Sequence, residues 1–84
     1  MGHARLNGYD YDLSTYADSS GKVMEVEIRI KIDSPSDIDV ADIATEITAN
    51  NGILFVDGYF IEKRHMWTTR DTLYILGEVK RSII

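Results

Sequence analysis

The stretch that decides the fold is Met24-Glu25-Val26-Glu27-Ile28-Arg29-Ile30-Lys31-Ile32-Asp33, ten residues of unbroken apolar and charged alternation. An extended chain sends successive side chains to opposite faces. Met24, Val26, Ile28, Ile30 and Ile32 therefore form one apolar face, and Glu25, Glu27, Arg29, Lys31 and Asp33 form the other. A sheet built on this strand buries one side and leaves the other to water or to a charged partner. Ile28 and Ile30, at the middle of the apolar face, are the first core residues to expect.

Upstream, Tyr9 to Ala17 alternates in part and is rich in tyrosine, which reads as a second strand. Asp18-Ser19-Ser20-Gly21-Lys22 between them is a turn cluster, with Gly21 able to take positive φ. The first half is thus a β-hairpin over 9–33. Residues 1–8 are polar and expected as a loose N-terminal tail to a single α+β domain over 9–84.

Downstream, Pro35 cannot donate to a ladder, and Ser36 or Asp37 can cap a helix whose positive end suits Asp37, Asp39 and Asp42. Val40, Ile43, Ala44 and Ile47 fall at i, i+3, i+4 and i+7, an apolar stripe able to cover the strand's oily face. Asn50-Asn51-Gly52 is a helix stop, so the helix is expected over 37–50. Ile53 to Val56 is a buried-strand run. Asp57-Gly58 reads two ways, as a two-residue hairpin turn or as a bulge in one long strand continuing through Ile61. Thr68 to Asp71 is a polar loop, Thr72 to Lys80 the last strand, and residues 81–84 its continuation or a frayed end. The expected fold is a two-layer α+β sandwich: a mainly antiparallel sheet of about four strands, with one helix on one face, in ββαββ order.

Composition narrows the function classes. The 84 residues are 44% hydrophobic and 27% charged, ordinary for a globular chain, and they include no cysteine. Thiolate metal sites, disulfides and cysteine nucleophiles are therefore excluded. No apolar run approaches the ~20 residues that span a bilayer, and the N-terminus lacks a signal-peptide core. The expectation is a soluble, cytoplasmic protein without membrane partners. Residues 1–62 carry four basic against twelve acidic residues, and residues 63–84 carry five against two. This asymmetry reads either as two faces of opposite potential or as an ordinary mixed surface.

Motifs for catalysis are missing. Asp37-x-Asp39-x-x-Asp42 lacks the central glycine and terminal glutamate of a calcium loop and suits the first turn of a helix instead. Asp10 and Asp12 share one strand face, as exposed strand residues do. His65 has neither cysteine nor a second histidine near it in sequence. None of the six serines sits in a Gly-x-Ser-x-Gly elbow, and no phosphate-binding glycine loop occurs. The chain is expected to be no enzyme, with no catalytic residues, no cofactor and no metal.

The segment Lys63-Arg64-His65-Met66-Trp67, with Arg70, Lys80 and Arg81, is the functional candidate. A hairpin joining 63–68 to 72–81 is expected to gather these basic groups beside Trp67. Trp and Arg are the residue types that anchor protein interfaces, and the expected partner-binding residues are Arg64, His65, Trp67 and Arg70. The leading expectation is a non-catalytic module that binds and modulates or inhibits a partner protein, in the manner of small viral or mobile-element accessory proteins. Two alternatives stand beside it: a structural homo-oligomer, such as a homodimer, joined through sheet edges, and nucleic-acid binding by the basic, aromatic hairpin. The acidic surface around Asp39, Asp42 and Glu46 is the fallback docking site.

Overall fold

The computed structural model describes residues 11–32 and 38–83. Five strands and one helix follow in the order β1 (Tyr11–Ala17), β2 (Val23–Lys31), α1 (Ile38–Ala49), β3 (Ile53–Val56), β4 (Tyr59–Thr68) and β5 (Thr72–Ser82). They form one antiparallel sheet, β1-β2-β5-β4-β3, curled into a half-barrel. The expected α+β class with a single helix holds. The loose tail over 1–8, the start of the first strand at Tyr9 and the helix cap at Ser36 or Asp37 lie outside the described residues.

The strand count departs from the expected four. Asp57 and Gly58 take φ of 50° and 86°, the paired positive values of a primed two-residue turn. Val56 pairs with Tyr59 directly across it. The Asp57-Gly58 alternative thus resolves as a hairpin, and the order becomes ββαβββ. The last strand also runs on to Ser82, and the Ile83 amide donates to the Gly58 carbonyl at 2.9 Å, tying the end of β5 to that turn.

Alternation in β2 decides the layers. Val26, Ile28 and Ile30 are completely buried and face Gly77, Ile75 and Leu73 across β5. Leu54, Val56 and Ile61 extend this core through β3 and β4. Ile43 and Ile47 of α1 close it from above, with Val40 packed against the cluster. Burying each such side chain contributes roughly 1.5–3 kcal/mol, so the helix stripe and the strand alternation stabilise one another. After Ala49, the Gly52 amide donates to the Ile47 carbonyl at 2.8 Å, with Asn51 and Gly52 both at positive φ. That left-handed cap turns the chain directly into β3.

Met24 departs from the expected apolar face. Tyr16 pairs with Glu25 but Ala17 pairs with Val23, so Met24 is the extra residue of a bulge. The bulge rotates it out of the core face, and it is 40% exposed, while Val23 packs against the core.

Candidate functional site

The face opposite α1 carries the candidate residues, because pairing register lines them up in rows across the strands. Asp12, Arg29, Tyr74 and Trp67 form one row. Ser14, Glu27, Leu76 and His65 form the next, and Tyr16, Glu25, Glu78, Glu62 and Ile53 the third. This outer face sets aromatic, aliphatic and charged groups on neighbouring strands.

Trp67 lies on β4 rather than in the loop. Its indole stacks on the Tyr74 ring, with centroids 5.1 Å apart and planes 2° apart, and it remains 41% exposed. It therefore neither closes the core nor hangs free: Tyr74 holds it upright on the sheet. Beside it, Met24, Glu25, Arg64, His65, Leu76 and Glu78 line an open concavity of about 480 Å³.

The third row places three carboxylates abreast, Glu25 opposite Glu78 and Glu78 opposite Glu62, an arrangement that repels by itself. Two bulges supply the compensation. Lys63 pairs with Gly77 and His65 with Leu76, which leaves Arg64 as an extra residue; Phe60 pairs with Arg81 and Ile61 with Val79, which leaves Lys80 as another. Arg64 bonds Glu78 directly and lies 3.3 Å from Glu62, while Lys80 lies 3.7 Å from Glu62 and 3.9 Å from Glu78. The hydrogen bond to Glu78, and the two negative charges, push the Arg64 pKa up against a desolvation that lowers it. Farther along, Arg29 Nη1 donates to Ser14 Oγ at 2.9 Å and to Glu27 at 2.8 Å.

The expected gathering of basic groups beside Trp67 is corrected by the register. Arg70 lies in the loop between β4 and β5, Arg64 at mid-strand, and Arg81 at the far end, its guanidinium 4.4 Å over the Phe60 ring. From the Thr68–Leu73 pair to the Phe60–Arg81 pair is eight residues, about 27 Å at strand spacing. Of the four expected partner-binding residues, Arg64, His65 and Trp67 share the outer face, and Arg70 stands off at the loop. The cations of β4 and β5 meet carboxylates of the same two strands, Arg64 and Lys80 facing Glu62 and Glu78.

Tyr74, Leu76 and Met24 belong to the surface and were not among the expected residues. Tyr74 and Leu76 carried a signal, since both fall on the opposite parity from Leu73 and Ile75. Met24 carried none, because only the bulge reveals it. Of the fallback acidic residues, Asp42 is exposed on α1; the side chains of Asp39 and Glu46 are outside the described set. Among the described residues no three His, Asp or Glu side chains converge as a metal site, and no helix is long and apolar enough to cross a membrane. Compared with protein-family models, curated proteins and solved structures, the chain matches none.

Proposed function

We propose that this chain is a non-catalytic module that docks on a partner protein through its outer sheet face, centred on Trp67, and modulates that partner. The single observation that carries the reading is the half-exposed indole stacked on Tyr74. A large ring held rigid at low entropic cost, beside a concavity whose lining includes Met24 and Leu76, is the composition of an interface anchor. Arg64 and His65 sit at the rim, where charged groups set orientation more than affinity.

Nucleic acid is the weaker reading. Phosphate binding needs cations with charge to spare, yet Arg64 and Lys80 already face Glu62 and Glu78. Three glutamates in the same row oppose a polyanion, and the chain carries a net charge of −5.

The experiment is affinity capture from the native cell, identification of a stoichiometric protein, and titration of that purified protein with wild type and Trp67→Ala. Loss of binding with a nearly unchanged thermal midpoint supports the reading. Capture of RNA or DNA in place of protein, with salt-sensitive binding, replaces it.

A further inference from the structure

We propose that two copies of this chain join edge to edge through β1, pairing antiparallel about Ser14 to make one continuous ten-stranded sheet.

The two edges of the sheet differ in how they are guarded. β3 is four residues long, too short to template much pairing. β1 offers seven residues, and among the described residues its backbone ladder is with β2 alone, though the Tyr11 hydroxyl also reaches Asp57. Edge strands are ordinarily blunted by lysine, proline or a bulge in mid-strand. Tyr11–Ala17 contains no lysine and no proline, and its register with β2 is regular from Tyr11 to Tyr16. Asp12, Thr15, Tyr16 and Ala17 are exposed along it, and Leu13 carries the apolar layer out to this edge.

A second copy is the occupant whose chemistry fits. A two-fold axis through Ser14, perpendicular to the sheet, pairs residues that lie on the same face. Leu13 meets the Thr15 of the second copy on the core side. Asp12 meets the Tyr16 of the second copy on the outer side, where the phenol can donate to the carboxylate. Ser14 meets its own counterpart. No like-charged pair arises in Tyr11–Ala17, and every contact occurs twice, as an isologous interface requires. Each chain carries −5, so added salt should tighten the dimer by screening repulsion, the reverse of an association driven by opposite charge. The axis also leaves both Trp67 rings on one side of the joined sheet, so a dimer docks bivalently on a paired partner.

Sedimentation equilibrium of the full chain from roughly 5 to 500 µM, at low and high salt, reads the proposal directly. Wild type should rise from one to two chain masses with concentration, and at lower concentration when salt is high. S14E and S14K should each stay at one chain mass, because each sets like charges face to face across the axis. An equimolar mixture of S14E and S14K should recover two chain masses. Hydrogen exchange at residues 12–16 of wild type should slow as concentration rises, a readout independent of whether the variants fold. A wild type of one chain mass throughout, variants that dimerise as wild type does, or exchange in β1 indifferent to concentration would each overturn the proposal.

Discussion

The Tyr11 hydroxyl donates to Asp57 Oδ1 at 2.6 Å, joining strand β1 at one edge of the sheet to the β3–β4 turn at the other. Forty-six residues separate the pair in sequence. The bond bridges the two edges of the curled sheet. The hydrogen bond to Asp57, then burial, then the Asp57 charge raise the Tyr11 pKa above its ordinary value of 10.0.

Tyr11→Phe should therefore cost about 0.5–1.5 kcal/mol at neutral pH, the net worth of one hydrogen bond. The sign with pH follows from the direction of the shift. A raised folded-state pKa means the contribution is complete below the ordinary value and is lost as pH rises through the folded one. The gap between wild type and Tyr11→Phe in denaturant midpoint should shrink above pH ~10. An equal gap at neutral and strongly alkaline pH would contradict the contact.

Strand β2 supplies a sharper contrast. Ile28 and Ile30 are fully buried, so Ile28→Ala or Ile30→Ala should cost ~2–5 kcal/mol. Arg29 between them faces outward to Ser14 and Glu27, and Arg29→Ala should cost about 1 kcal/mol or less. Denaturant midpoints measure both. Equal losses for Ile28→Ala and Arg29→Ala would remove the register on which the layers rest.

Gly77 is buried on β5, between Val26 of β2 and Lys63 of β4. A Cβ there would stand 3.2 Å from the Glu62 carbonyl oxygen and 3.2 Å from Ile61 Cβ, groups that cannot swing aside. Gly77→Ala ordinarily gains some stability by stiffening the unfolded chain. Here overpacking should win by about 1 kcal/mol net. A raised thermal midpoint in Gly77→Ala would show that the bulge at Arg64 absorbs the methyl group.

The glutamate row makes a prediction through salt. Arg64→Ala leaves Glu25, Glu78 and Glu62 abreast with Lys80 as the nearby cation. Its destabilisation should be larger at low ionic strength than at high, since salt screens exposed charges. Glu78→Gln in the same background should recover part of the loss. A salt-independent loss would mean that the Arg64 side chain matters for packing and not for charge.

Much of this architecture was legible because it rests on periodicity. The alternation of Val26, Ile28 and Ile30, the stripe of Ile43 and Ile47, and the Asn51-Gly52 stop all act locally, and burial and dihedrals follow them. The bulges at Met24, Arg64 and Lys80 were not legible, since each arises from a mismatch between two strands distant in sequence. Their consequence reached the candidate site: Met24 moved onto the outer face, and Arg64 and Lys80 moved into the glutamate row. Trp67 was found by residue type, but its support, Tyr74, depended on pairing across β4 and β5.

The most direct test of the account is a calorimetric titration of the captured partner with wild type and Trp67→Ala, alongside thermal melts of both. Trp67→Ala should lose most of the binding, on the order of 2 kcal/mol or more as at an interface hot spot, while its midpoint falls only slightly. Wild-type affinity in a well-folded Trp67→Ala would contradict it.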